Sequence, residues 1–108
     1  MAWHQAEMDT ALVFTALVEP RRREILKLVR DEAHSAGELR DKLSITQQAV
    51  SQHLQILTTA GLVRADHEGR GRRYTLAPEG LDVLDRFLRD LWPDGLQRLK
   101  AAAEADDE

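Results

Sequence analysis

Residues 35–57 read SAGELRDKLSITQQAVSQHLQIL, and elementary rules write two helices into them. Ser35 and Glu38 stand three apart, the spacing of a capping box, in which hydroxyl and carboxylate each satisfy a backbone N–H that a helix start leaves without a partner. Leu39 and Leu43 continue a short helix behind that cap. Thr46 can cap a second helix, whose core face is marked at helical spacing by Val50, Leu54 and Leu57. With those three turned inward, Gln47, Gln48, Ser51, Gln52 and Gln55 must look outward. Charged residues make up 31% of the chain, yet none falls between Lys42 and Arg64. A polar helix face is usually just solvated, but solvated helices normally carry Glu and Lys for propensity and solubility. Avoiding both favours a surface that reads something. Glutamine presents a donor and an acceptor on one planar group, matching the N6/N7 edge of adenine in a major groove, and serine can pair with several bases.

Outward from this pair, Met8 to Val18 carries Ala11, Leu12, Phe14 and Leu17 in helical phase, which predicts a first helix. Pro20 suits the first turn of a second, where its missing N–H is not needed, and Ile25, Leu28 and Val29 give that helix a buried stripe. On the other side, Gly61 stops the glutamine-rich helix. LVRADHE and RRYTL then read as two short strands around Gly69-Arg70-Gly71. Pro78 starts a long last helix with Leu81, Leu84, Leu88 and Leu91 in phase. Trp92-Pro93-Asp94-Gly95 should kink or divide it, because proline removes a backbone bond and clashes with the preceding turn. The predicted fold is α+β, mainly α: a winged helix-turn-helix of four helices, a β-hairpin wing and a long C-terminal helix. At 108 residues the chain holds one domain, over 1–105, with 106–108 as an acidic tail.

Composition narrows the function. There is no cysteine, which excludes disulfides and thiolate metal ligands and fits a reducing compartment. MAWHQAEMD has neither the basic start nor the apolar run of a signal peptide, and nowhere do eighteen apolar residues follow one another. A cytoplasmic protein without a membrane partner is expected. Net charge is −4, but residues 20–78 hold eleven Lys/Arg against seven Asp/Glu, whereas the flanks hold four against twelve. Partner choice follows the local field, and the middle of the chain is positive. Arg70, Arg72 and Arg73 flank two glycines at the hairpin tip, where arginines can enter a minor groove and gain from its concentrated negative potential. A solvated turn is the plainer alternative. Tyr74 and Leu76 share a strand face and read as core.

Other signals carry little. Asp31-Glu32-Ala33-His34 spells the DEAH signature of certain helicases, but no phosphate-binding loop of the GxxxxGK[ST] type accompanies it. His4, His34, His53 and His67 lack the paired spacing of a zinc site, so no metal and no cofactor are expected. No nucleophile stands beside a plausible base, so no enzyme is expected. Leu81, Leu84, Phe87, Leu88, Leu91, Trp92, Leu96 and Leu99 offer more apolar surface than a small winged domain can cover alone.

ALVEPRRREILKLV (16–29), SAGELRDKLSITQQAVSQHLQILTTAGLV (35–63) and GRRYTLAPEGL (71–81) resemble, in order and spacing, the ArsR-type winged-helix bacterial transcription regulators. The resemblance covers nearly the whole chain. It implies a homodimer, usually a repressor, on an inverted-repeat operator in double-stranded DNA. It gives the recognition-helix roles to Gln47, Gln48, Ser51, Gln52 and His53; with Thr46 at the helix start and the wing arginines, the expected DNA-binding set is Thr46, Gln47, Gln48, Ser51, Gln52, His53, Arg70, Arg72 and Arg73. It also implies that the first and last helices pair with their symmetry mates, through Leu12, Leu84, Phe87, Leu88, Leu91, Trp92, Leu96 and Leu99. The chain departs from the family's pattern at Gln48, often proline, and at Gln52, often lysine or arginine. Where metal-sensing members carry cysteines before the Glu-Leu of the third helix, this chain has Ser35 and Gly37; no histidine follows His67 to serve a last-helix zinc site. A small-molecule effector between the last helices stays open. The alternative function is a protein-interaction module that kept the winged fold without DNA binding.

Overall fold

The computed structural model describes residues 2–69 and 71–106, with side chains from Asp9 onward apart from that of Glu68. In chain order the described residues form α1 (Ala2–Val18), α2 (Pro20–Asp31), α3 (Ala36–Leu43), α4 (Gln47–Thr59), β1 (Val63–Glu68), β2 (Gly71–Leu76), α5 (Pro78–Leu91) and α6 (Gly95–Asp106). This is the expected winged helix-turn-helix, with α3 and α4 as the helix pair and the antiparallel β1–β2 hairpin as the wing. Two boundaries differ from the sequence reading. The first helix begins at Ala2 rather than Met8, since no glycine or proline interrupts the intervening residues. The last helix is divided, not kinked: the Trp92 N–H closes α5 on the Leu88 carbonyl at 2.8 Å, and the chain turns through Pro93 before α6 begins.

Local chemistry accounts for the elements around the helix pair. The Ser35 hydroxyl accepts from the Glu38 N–H at 3.1 Å and the Glu38 carboxylate accepts from the Ser35 N–H at 2.9 Å, the reciprocal capping box. Thr46 Oγ1 accepts from the Ala49 N–H at 3.1 Å at the start of α4. Between the two helices Ser44 takes the left-handed conformation, with φ 55°, and reverses the chain in a tight turn. Gly61, with φ 71°, ends α4 and brings its own carbonyl to the Gly80 N–H at 2.8 Å. That approach leaves no room for a side chain at position 80, where a Cβ would lie 2.6 Å from the Ala60 carbonyl oxygen.

The core is aliphatic, drawing Val13 and Ala16 from α1, Ile25 and Val29 from α2, Leu39 and Leu43 from α3, Val50, Leu54 and Leu57 from α4, and Leu62 and Val63 after it. The α1–α2 junction is closed by arginines. The last four carbonyls of a helix have no partner inside it, and for α1 these are Thr15, Ala16, Leu17 and Val18. Arg22 donates from Nε to Ala16 O at 2.7 Å and from Nη2 to Thr15 O at 2.9 Å; Arg23 donates from Nη1 to Leu17 O at 2.6 Å and to Val18 O at 3.0 Å. His34, only 2% exposed, extends the sheet: its N–H donates to Tyr74 O and its carbonyl accepts from Tyr74 N–H. Its ring Nδ1 lies 2.7 Å from Glu32 O, so the proton sits on Nδ1. The DEAH tetrapeptide is thus the end of α2 and a sheet-edge residue, with Asp31 and Glu32 exposed.

Candidate nucleic-acid interface

Burial of Val50, Leu54 and Leu57 orients α4, and Gln47, Gln48, Ser51, Gln52 and Gln55 come to the surface as the periodicity requires. Across from them lies the wing. Residues of a strand alternate between faces, so Arg72 lies on the same side of β2 as Tyr74. A cleft of about 400 Å³ separates hairpin and helix, lined among others by Ser51, Gln55, Thr58, Arg72 and Tyr74. Ser51 and Arg72, predicted separately from helix and hairpin, therefore edge one concave surface. Among the described residues Arg72 makes no ion pair.

The other predicted residues are not all on that surface. Arg73 points to the opposite strand face, where Nη2 donates to Ala33 O at 2.8 Å and Nη1 pairs with Glu38 Oε1 at 3.1 Å. It fastens the wing to the start of α3. Arg70 lies outside the described residues. His53 faces the α1–α2 junction with its side chain 17% exposed. Its Nδ1 accepts from Arg22 Nη1 at 3.4 Å, and its Nε2 stands 3.8 Å from Glu19 Oε2. Glu19 also accepts from the Arg22 N–H at 3.3 Å as the cap of α2. His53 thus ties α4 to the helices behind it, and its position three after Val50 and four before Leu57, on the flank of the core stripe, is the signal for that. Thr46 holds the helix start through its bond from the Ala49 N–H.

The field of this face is weaker than the count over residues 20–78 suggests. Arg22 and Arg23 serve the end of α1, and Arg73 is held by Glu38. Arg21, Arg30 and Arg64 pair with Glu24, Asp31 and Asp66. One residue that sequence reasoning missed does reach the outer face of α4: Arg40, near the end of α3, donates from Nη1 to Gln47 Oε1 at 3.0 Å while its Nε pairs with Asp41 at 3.0 Å. The Glu38 carboxyl is held below its ordinary range by the Ser35 N–H, then by the Ser35 hydroxyl, with Arg73 adding less.

A second surface lies on α1, α5 and α6. Phe14 and Phe87 meet edge to face with ring centres 5.1 Å apart, joining α1 to α5. Leu84 is half-buried against the core. Leu12, Phe87, Leu88, Leu91, Trp92, Leu96 and Leu99 are exposed, Leu91 by 71% and Leu96 by 68%. A groove of about 450 Å³ runs along the α5–α6 junction between Leu88, Trp92, Pro93, Leu96 and Leu99. Among the described residues no group of three or more His, Cys, Asp or Glu is placed to hold a metal ion, and no helix is long and apolar enough to cross a membrane.

Comparison with known proteins agrees with this geometry. Residues 17–65 match the family described as a helix-turn-helix domain. The HTH-type transcriptional regulator Rv2034 of Mycobacterium tuberculosis is 38% identical over 81 residues, which span 75% of this chain and 76% of that protein. The structure of an ArsR-like transcriptional regulator from Rhodococcus sp. RHA1 superposes with a TM-score of 0.73 at 31% identity, covering 92% of this chain and 93% of its own. The homodimeric winged helix-turn-helix DNA-binding domain of Mb0332 from Mycobacterium bovis, a possible ArsR-family regulator, superposes with a TM-score of 0.64 at 27% identity, covering 80% of each.

Proposed function

Since this chain belongs to the ArsR-type family of winged helix-turn-helix transcriptional regulators, which are not enzymes, we propose that it is a cytoplasmic, sequence-specific repressor that binds an inverted-repeat operator as a homodimer. In this reading α4 enters the major groove, Gln48, Ser51 and Gln52 contact base edges, and Arg72 takes the backbone or minor groove beside them. The observation that carries it is the uncharged, outward polar face of α4, whose Ser51 and Gln55 line one cleft with Arg72 of the wing, so that hydrogen-bonding groups and a cation share one concave surface. Repression follows from occlusion, since a dimer seated on an operator that overlaps a promoter excludes polymerase.

Dimerisation is supported by the apolar run over α5 and α6, a contiguous surface larger than scattered exposed leucines, and by the homodimeric state of the Mb0332 domain. Pairing through it sets the two α4 helices about one DNA turn, roughly 34 Å, apart. An organic effector, if one is sensed, fits the groove lined by Leu88, Trp92 and Leu96, because that groove adjoins the same apolar run. Selection of bound sequences from a random duplex pool tests the proposal directly. A palindrome with half-sites one turn apart is the expected result. Enrichment of no sequence, or a stable monomer in sedimentation, overturns it, and the first outcome would favour a protein-interaction module on the same fold.

A further inference from the structure

We propose that Arg40 sets what Gln47 reads: by holding the amide oxygen, it presents Gln47 to DNA as a hydrogen-bond donor, so that this position prefers the acceptor edge of guanine to the mixed edge of adenine. The inference rests on the DNA-binding reading above and concerns the specificity of one position within it. Gln47 is the first residue of α4, and the first residues of a recognition helix are those that contact base edges. Arg40 Nη1 lies 3.0 Å from Gln47 Oε1. Guanidinium carries only donors, so the amide must turn its oxygen to Arg40 and its amino group away. The Nε bond to Asp41 at 3.0 Å holds the guanidinium in place.

An unheld glutamine pairs with adenine by accepting from N6 and donating to N7. With one lone pair of its oxygen taken by a cation, Gln47 is biased toward its two N–H donors, which suit the acceptor pair O6 and N7 of guanine. An adenine amino group approaching the held oxygen would also meet the positive guanidinium. The same cation polarises the amide and strengthens its N–H donors. Gln48, Gln52 and Gln55 have no side-chain hydrogen bond among the described residues and keep both functions, so the four glutamines of α4 are not equivalent.

The test is selection from a random duplex pool with the full chain as wild type, Arg40→Met and Gln47→Ala, each first checked for folding by circular dichroism. Arg40 is on the surface, so the methionine variant keeps the core intact. The wild type should enrich guanine at one base pair of each half-site, and Gln47→Ala should flatten the preference there alone. Arg40→Met should move that same base pair from guanine toward adenine by roughly fivefold or more, with the others unchanged. The proposal is overturned if Arg40→Met keeps the wild-type base at the Gln47-dependent position. It is overturned equally if that position is adenine in the wild type, or if Gln47→Ala weakens all sequences alike, which would put Gln47 on phosphate. A wild type that enriches nothing fails earlier and takes the DNA-binding reading with it, so the two failures are told apart by the wild-type arm.

Discussion

Replacing Arg22 by methionine should cost the fold far more than the same change at Arg23, although both side chains cap the same helix end. Arg22 is 9% exposed and supplies Nε to Ala16 O at 2.7 Å and Nη2 to Thr15 O at 2.9 Å. Methionine fills much of the volume but has no donor, so two carbonyls lose their partners, each worth roughly 1–3 kcal/mol when water cannot replace the bond. Part of this is offset because a cation need no longer be buried. The net expectation for Arg22→Met is about 2–4 kcal/mol. Arg23 makes bonds of 2.6 and 3.0 Å to Leu17 O and Val18 O, but both are exposed, and water takes over when the side chain goes; Arg23→Met should cost less than about 1 kcal/mol. Urea unfolding followed by far-ultraviolet circular dichroism measures both, at one protein concentration, because subunit association adds to apparent stability. With a urea slope near 2 kcal/mol per molar, the midpoint should fall by about 1–2 M for Arg22→Met and by less than about 0.5 M for Arg23→Met. Equal midpoints for the two variants would refute the reasoning, since Arg22 differs from Arg23 in its burial and in its further bond to His53 Nδ1.

Arg72→Ala should weaken binding to every duplex and reduce the slope of log affinity against log salt by about 0.9 per protomer, the loss of one phosphate contact each; fluorescence anisotropy across a salt series reads this, and an unchanged slope would take Arg72 off the interface. Glu38 has its carboxyl held down mainly by the Ser35 N–H. A depressed carboxyl contributes stability above its unfolded-state value, and that contribution is lost as pH falls through the folded value. Wild type should therefore lose melting temperature below about pH 4.5 more steeply than Glu38→Gln; parallel curves would remove the capping box from the acid-side behaviour. Gly80→Ala places a methyl 2.6 Å from Ala60 O and 2.8 Å from Leu62 Cδ2, and should cost about 1–3 kcal/mol as overpacking, seen as a lower thermal midpoint. Leu91→Glu, at a position exposed in the single chain, should leave the far-ultraviolet spectrum intact and shift sedimentation to the monomer; a persistent dimer would place the interface elsewhere.

What was legible in the sequence was mostly local. Ser35 with Glu38, Thr46, Pro20 and Gly61 each act within a turn of their own position, and all five mark element boundaries as predicted. The heights of the apolar stripes were equally readable, because burial of Val50, Leu54 and Leu57 follows from a period of 3.6. What the sequence does not show is where several arginines and one histidine find their partners, because these are set by tertiary approach. Nothing in PRRRE says that Arg22 and Arg23 turn back to α1, and nothing in GELRDK says that Arg40 crosses a turn to Gln47. Arg73 and Arg72 look alike in RGRRY, yet strand alternation with Tyr74 as a core residue separates them. The resemblance groups His53 with the reading residues, while its place on the flank of the core stripe turns it toward Arg22 and Glu19.

These commitments change how the surface works as a binder. A count of eleven basic against seven acidic residues over 20–78 implies strong attraction to any duplex, but most of those cations are matched within the fold. Arg22 and Arg23 are bonded to helix-end carbonyls, Arg73 and Arg40 face Glu38 and Asp41, and the flanking stretches of sequence are acidic. The term that sequence-independent binding draws on, phosphate neutralisation by free cations, therefore rests on few side chains, Lys27, Lys42 and Arg72 among the described residues of 20–78. A regulator must discriminate its operator against an excess of competing sites, and what matters is the ratio of specific to non-specific affinity. That ratio can be raised by lowering the backbone term as well as by adding base contacts. On the proposed reading, neutral amides on α4 would add base contacts without adding to the backbone term, whereas lysine or arginine at Gln48 or Gln52 would raise both together. On the proposed DNA-binding mode, the absence of charge from Leu43 to Val63 thus has a functional reading: α4 would discriminate, while attraction would be left to the wing and to exposed cations such as Lys42.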